Sequence, residues 1–131
     1  MSEKKKILVI DDDVQLVDSV KTLLESVGYD VSYAYLARKG VELARQWAPD
    51  VILLDVMFAG PPGPDGFQIA RELHEDPQLK GVPVIMLSGV RTVLEIPYEL
   101  SPDPEWLPVK AFLEKPIKPD KLLGEIKKLL G

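Results

Sequence analysis

The sequence predicts an α/β fold in which a doubly wound parallel sheet is flanked by helices, and three observations support this prediction. Short apolar runs rich in β-branched residues alternate with longer stretches of helical period, as in successive βα units. The run at 51–54 is apolar throughout, as a strand covered by helices on both faces would be. The chain has 131 residues, which suffices for one domain with a sizeable core.

The predicted strands and helices follow one another in five repeats along the chain. The strands are expected at 7–10, 31–35, 51–54, 83–87 and 111–114. Helices are expected at 14–27, 37–47 and 67–74, with a terminal helix carrying the apolar stripe of 122–130. Gly28 should end the first helix, because glycine tolerates positive φ. Residues 90–109 contain four prolines and are expected to be irregular, since proline inside a helix removes a hydrogen bond.

Composition excludes several classes of protein. No apolar run approaches the length that crosses a bilayer, and Asp11, Asp12 and Asp13 interrupt the N-terminal apolar run too early for a signal peptide. The absence of cysteine excludes disulfides and agrees with a cytoplasmic location. A net charge of −5 disfavours direct binding to nucleic acid. We therefore expect a cytoplasmic protein that binds neither membrane nor nucleic acid.

Polar residues follow the predicted strands at the edge where a doubly wound sheet binds its ligands. They are Asp11 and Asp12 after the first strand, Asp55 after the third, Ser88 after the fourth and Lys115 after the fifth. Clustered carboxylates repel one another unless a cation neutralises them, and Mg²⁺ is a hard ion that binds oxygen ligands. A carboxylate beside such an ion can attack phosphorus, while an ammonium and a hydroxyl bind phosphoryl oxygens.

Four segments, ILVIDDD, VILLDVM, PVIMLSG and FLEKPIKP, resemble in order and spacing the receiver domain of bacterial response regulators, and are similar to the chemotaxis receiver. The resemblance implies a flavodoxin-like sheet of strand order 2-1-3-4-5. It implies that Asp55 is the phosphoacceptor and that Asp11 and Asp12 hold Mg²⁺ together with Asp55 and the main-chain carbonyl of Met57. Between Asp55 and the family's Asp-Gly pair, here Asp65 and Gly66, the chain inserts AGPPGP.

The resemblance also assigns roles to the remaining strand-end residues. Ser88 takes the position of the switch hydroxyl, Lys115 that of the family's lysine, and Phe112 that of the switch aromatic. The bond from Lys115 to Pro116 resembles the family's cis peptide. The implied function is a two-component switch without separate enzymatic activity beyond slow self-phosphorylation and dephosphorylation. It would accept phosphoryl from a sensor histidine kinase or phosphotransfer protein and contact a downstream protein, with 1–131 as one receiver domain lacking an output domain.

Other interpretations of the same residues remain open. Asp13 is expected to cap the first helix, and His74, surrounded by acidic residues, to be exposed without a role. A haloacid-dehalogenase-type phosphatase would also use an aspartyl phosphate, but it carries a second Asp where this chain has Met57. A nucleotide or flavin binder shares the architecture, but no Gly-rich turn follows the first strand.

Overall fold

The computed structural model describes residues 4–56, 66–88 and 109–130, and these form one five-stranded sheet with helices. The strands are β1 (Lys6–Ile10), β2 (Asp30–Ala34), β3 (Val51–Asp55), β4 (Val84–Ser88) and β5 (Ala111–Glu114). The helices are α1 (Val14–Ser26), α2 (Ala37–Trp47), α3 (Gly66–Glu75) and α4 (Pro119–Leu130). The strand order is β2-β1-β3-β4-β5 and every pairing is parallel, so the predicted fold is confirmed.

The ends of α1 follow the predicted local chemistry. The carboxylate of Asp13 accepts hydrogen bonds from the main-chain N–H groups of Gln15 and Leu16, both at 3.1 Å, which caps the first turn. After the helix, Gly28 has a φ of 99°, a value that residues with a Cβ rarely adopt. Both features were predicted from sequence and both are confirmed.

The core consists of two layers, one on each face of the sheet. Alternate strand residues such as Leu8, Ile10 and Leu54 pack against α2 and α3. Their neighbours in the strands, including Val9 and Leu53, pack against α1 and α4 on the opposite face. Because the side chains of a strand alternate with a period of two, each strand contributes to both layers. This explains why β1, β3 and β4 each contain four consecutive apolar residues.

The edge position of β2 leaves two aromatic residues near its carboxyl end exposed, Tyr33 within the strand and Tyr35 just after it. Tyr33 and Tyr35 continue an alternating pattern in the sequence, yet both are exposed, with ring centroids 5.1 Å apart. Among the strands that the structure describes, β2 pairs with β1 alone, so the surface beside it is less covered than that of the central strands.

Two expectations concern residues outside the described parts of the chain. One is the irregular segment at 90–109, of which the structure describes only Val109. The other is the main-chain carbonyl of Met57. Among the described residues, no helix is long and apolar enough to span a membrane.

Candidate functional site

Three of the predicted residues share one face of the sheet at the carboxyl ends of the strands. Asp11 follows β1, Asp55 ends β3, and Lys115 follows β5. Each continues the alternating set that faces α1 and α4, the set that contains Val9, Leu53 and Leu113. Asp11 has no exposed surface and Asp55 is buried. The alternation of strand residues therefore brings three charged side chains together at one position that is largely shielded from solvent.

Lys115 joins the two buried carboxylates. Its ammonium nitrogen lies 3.0 Å from Oδ2 of Asp11 and donates a hydrogen bond of 3.1 Å to Oδ1 of Asp55. Burial lowers the pKa of Lys115, but the two carboxylates outweigh it, so the pKa is raised above its ordinary value. Lys115 is therefore a cation at neutral pH, and it neutralises part of the negative charge.

Asp11 is held by its surroundings in a fixed orientation. Its Oδ1 accepts a hydrogen bond of 2.9 Å from the main-chain N–H of Asp13. Its Oδ2 is buried and, among the described residues, has no well-aligned hydrogen bond, so the contact with Lys115 is an ion pair. Burial raises the pKa of Asp11, and the N–H of Asp13 and the ammonium of Lys115 only partly oppose it. This carboxylate has an oxygen suited to a further cation.

Asp12 completes a group of acidic residues with the composition of a metal site. Ligand oxygens of Asp11, Asp12 and Asp55 lie within 4.8 Å of one another. Three carboxylates at this separation match a hard divalent ion, which prefers oxygen ligands and offsets their mutual repulsion. The poorly satisfied Oδ2 of Asp11 is consistent with the same use. The residues that are present therefore fit Mg²⁺.

Phe112 lies on the other face of the sheet, and the alternation of strand side chains assigns Ser88, two residues after Met86, to the same face. In the paired strands β4 and β5, Met86 lies opposite Phe112 and Ser88 lies opposite Glu114. Phe112 is partly buried and packs against the layer formed with α2 and α3. Ser88 is buried, and its main-chain carbonyl accepts a hydrogen bond of 2.6 Å from the N–H of Lys115. The strand ends thus connect the acidic group to residues on the opposite face.

Two further predictions near the site agree with the structure. The peptide bond between Lys115 and Pro116 is cis. His74 is exposed near the end of α3.

One contact at the site was missed by sequence reasoning. Gly66, the first residue of α3, lies directly against the main chain of Asp55 and Val56. The sequence showed Gly66 only as part of an Asp-Gly pair beyond the loop, and its spacing from Asp55 did not indicate a contact.

Comparisons with known proteins agree on the family. The family model for the response regulator receiver domain matches residues 7–127. The DNA-binding dual master transcriptional regulator RpaA of Synechocystis is 34% identical over 125 residues, covering 95% of this chain and 48% of that protein. The DNA-binding response regulator MtrA of Mycobacterium tuberculosis is 28% identical over 124 residues, covering 95% of this chain and 50% of that protein. The chain thus spans about half the length of these curated relatives.

Solved structures of response regulators match almost the whole of this chain. The chemotaxis response regulator CheY4 of Vibrio cholerae superposes with a TM-score of 0.78 at 26% identity, covering 97% of this chain and 99% of that chain. A CheY-like receiver domain protein from Methanospirillum hungatei gives a TM-score of 0.77 at 28% identity, covering 97% and 94%. These matches disfavour the phosphatase and nucleotide-binding alternatives.

The fold, the grouping of strand-end residues and the match over 7–127 lead to one conclusion. The chain belongs to the receiver domain family of response regulators, the phosphorylation-dependent signalling domains of two-component systems.

Proposed function

We propose that Asp55 is the phosphoacceptor of this receiver domain and takes its phosphoryl group from the phosphohistidine of a sensor kinase or phosphotransfer protein. Response regulators as a family receive phosphoryl groups from histidine kinases. The observation that carries the assignment is the bridge made by Lys115, whose ammonium lies 3.0 Å from Asp11 and 3.1 Å from Asp55. A cation held at this point can also contact the oxygens of a phosphoryl group on Asp55.

The two buried carboxylates next to Lys115 are suited to different tasks. Asp11 has no exposed surface, and its Oδ1 is occupied by the N–H of Asp13. It is therefore better placed to bind a cation than to attack an incoming group. Asp55 ends the central strand β3, at the edge of the sheet where ligands of this architecture bind. We assign the nucleophilic oxygen to Asp55 on these grounds.

The proposed transfer exchanges one bond to phosphorus for another. A carboxylate oxygen of Asp55 forms a bond to phosphorus as the bond from phosphorus to the histidine nitrogen breaks, and the departing imidazole keeps the electron pair. Lys115 offsets negative charge on the phosphoryl oxygens. Ser88, which belongs to the other face of the sheet in the unphosphorylated chain, moves toward Asp55 so that its hydroxyl donates a hydrogen bond to one of these oxygens. We expect no separate enzymatic activity, only slow self-phosphorylation from small donors and slow self-dephosphorylation.

Mg²⁺ is the proposed cofactor of this transfer. Asp11, Asp12 and Asp55 would hold it, with the main-chain carbonyl of Met57 as a further ligand by resemblance to the family. When bound, the ion supplies positive charge that offsets repulsion between the acidic group and an incoming phosphoryl dianion. The support is the proximity of three carboxylates, within 4.8 Å, and the poorly satisfied Oδ2 of Asp11.

We propose that the signal leaves the site through Ser88 and Phe112 and reaches a downstream protein. Both residues belong to the face of the sheet opposite Asp55, and Ser88 is tied to Lys115 by a main-chain hydrogen bond of 2.6 Å. The net charge of −5 favours a protein partner over direct contact of this domain with nucleic acid. DNA binding, which is named for the longer relatives, is not assigned to the described residues.

Phosphorylation by acetyl phosphate with Mg²⁺, followed by intact mass, tests the assignment. The wild-type chain should gain one phosphoryl group, and Asp55→Asn should gain none. Asp50→Asn is the matched control, because Asp50 precedes β3 at its other end and there accepts the main-chain N–H of Lys6 at 2.8 Å. Asp50→Asn should be phosphorylated like the wild type.

Two results would overturn the proposal. An adduct that persists in Asp55→Asn would place the phosphoryl group elsewhere. An adduct that forms at the same rate in excess EDTA would remove Mg²⁺ from the mechanism. A sensor kinase that transfers to the wild-type chain but not to Asp55→Asn would extend the assignment from the small donor to the proposed partner.

A further inference from the structure

Gly66 packs so closely against the backbone of the proposed phosphoacceptor that a side chain at position 66 would not fit. Its N–H donates a hydrogen bond of 2.7 Å to the main-chain carbonyl of Val56, the residue that follows Asp55. A Cβ placed on Gly66 would overlap the main-chain oxygen of Asp55 and would lie 2.7 Å from both Cα and the carbonyl oxygen of Val56. The first residue of α3 is thus in direct contact with the backbone that carries the Asp55 side chain.

Neither partner in this contact can easily move away. Asp55 is paired with Leu87 in the sheet, and the N–H of Val56 donates a hydrogen bond of 3.0 Å to the Leu87 carbonyl. On the other side, α3 is fixed by its buried residues Ile69 and Leu73. The atoms in the way belong to the main chain, so no rotation of a side chain can relieve the overlap. A side chain at position 66 must shift either α3 or the end of β3.

Resting on the proposed function, we propose that Gly66 is a positioning residue for the phosphoacceptor. By lacking a side chain, it lets the start of α3 pack against the backbone of Asp55 and Val56. This contact fixes the Asp55 carboxylate relative to Asp11 and Lys115. The AGPPGP insertion lies between Val56 and Gly66, and the hydrogen bond joins the residues on either side of it. Because this hydrogen bond joins the two ends of the loop, the orientation of the Asp55 side chain does not depend on how long the inserted loop is.

The expected effect of Gly66→Ala is a loss of phosphorylation that exceeds its loss of stability. A displacement of about 1 Å in a reacting group can lower a rate by about a hundredfold. We expect the rate constant for acetyl phosphate at saturating Mg²⁺ to fall at least about tenfold. Mg²⁺ affinity should fall as well, because Asp55 is one of the three clustered carboxylates.

Gly40→Ala is the matched control for a clash between a helix and the sheet. Gly40 lies in α2 on the same face of the sheet, and a Cβ there would lie 2.6–2.7 Å from side-chain atoms of Ile10. The Gly40→Ala variant should therefore be less stable than the wild type, but the main chain of Asp55 should keep its position. Both variants are made in a Gly124→Ala background, because a Cβ at Gly124 meets nothing within 4 Å and alanine favours helix. Urea denaturation then identifies conditions in which both variants are folded.

Under those conditions the two variants should separate. Slow phosphorylation and weak Mg²⁺ binding in Gly66→Ala, with near wild-type values in Gly40→Ala, support the positioning role. Equal rates and equal Mg²⁺ affinities in the two variants would overturn it, even if Asp55 is phosphorylated. Failure of the wild-type chain to be phosphorylated at Asp55 would instead refute the proposed function, while the comparison of Mg²⁺ affinities would still test the contact.

A measurement on the wild-type chain covers the case in which Gly66→Ala does not fold. The amide resonance of Gly66 should shift on Mg²⁺ binding together with that of Val56, since the two residues share a hydrogen bond beside Asp55. The amide of Gly40, which donates to the Leu36 carbonyl at 2.9 Å, serves as the reference. A Gly66 amide that responds no more than that of Gly40 would contradict the proposal.

Discussion

Replacing Lys115 by methionine should destabilise the metal-free domain, because it leaves two buried carboxylates without their cation. At an effective dielectric constant of about 20, unit charges separated by the observed 3.0 Å attract by roughly 5–6 kcal/mol before desolvation is counted. Removing one partner of a buried ion pair costs about 3–5 kcal/mol. The Lys115 side chain is 22% exposed, so water screens part of the interaction. We expect the free energy of unfolding to fall by about 2–4 kcal/mol.

Methionine preserves most of the length of the side chain, so the loss measures charge more than packing. The assay is urea denaturation at neutral pH in the presence of EDTA. Lys39→Met provides the control, because Lys39 is 71% exposed and lies 3.9 Å from Glu42. A surface pair of this kind contributes about 0–1 kcal/mol. A loss in Lys115→Met no larger than that in Lys39→Met would refute the electrostatic reasoning.

Mg²⁺ should restore part of the lost stability in Lys115→Met. A ligand that binds only the folded state stabilises it in proportion to the logarithm of its concentration over its dissociation constant. Without Lys115, the carboxylates of Asp11 and Asp55 lose a competing cation, so Mg²⁺ should bind the variant at least as tightly as the wild type. The gain in unfolding free energy on adding Mg²⁺ should therefore be larger for the variant. A smaller gain would show that Lys115 supports the metal site instead of competing with the ion.

Three further predictions concern the stability of the fold. The Arg45 guanidinium, 2.6 Å from Asp76, holds the pKa of that carboxyl below its ordinary 3.8, so the ion pair stabilises the fold above that pH and is lost as pH falls through the lowered pKa. Asp76→Asn should therefore lower the urea midpoint at pH 7, and a difference that persists in strong acid would contradict this. Asp13→Ala removes two hydrogen bonds of 3.1 Å at the start of α1 and should cost about 1 kcal/mol by urea denaturation, whereas Asp13→Asn should retain most of the cap. Gly28→Ala should lower the melting temperature, because φ is 99° there, whereas Gly124→Ala, inside α4, should raise it; equal shifts would show that backbone conformation does not decide the difference.

The sequence predicted the strands and helices because their signals are local. The apolar runs of β1, β3 and β4 were recognisable without knowledge of their neighbours, and the observed bounds differ from the predicted ones by about one residue. The cap at Asp13 and the positive φ at Gly28 depend on a few adjacent residues. The exposure of Tyr33 was not predictable from alternation alone, since it depends on β2 lying at the edge of the sheet.

The membership of the candidate site could also be read from the sequence. Parallel strands end at one edge of a sheet, so Asp11, Asp12, Asp55 and Lys115 were expected to meet once five βα units had been recognised. The alternation of strand side chains further explains why Asp11, Asp55 and Lys115 share one face while Ser88 points to the other. These relations follow from the period of the strand and need no distances.

Only the tertiary structure decided which atoms touch. Lys115 reaches Asp55 across 60 residues of sequence, and its simultaneous approach to Asp11 depends on the order and stagger of three strands. The contact of Gly66 with the main chain of Asp55 likewise depends on how α3 is placed against the sheet. Sequence patterns record the period of a strand or helix, which is a local property. Contacts between remote elements depend instead on the packing of whole layers, which fixes positions to within the size of a methyl group.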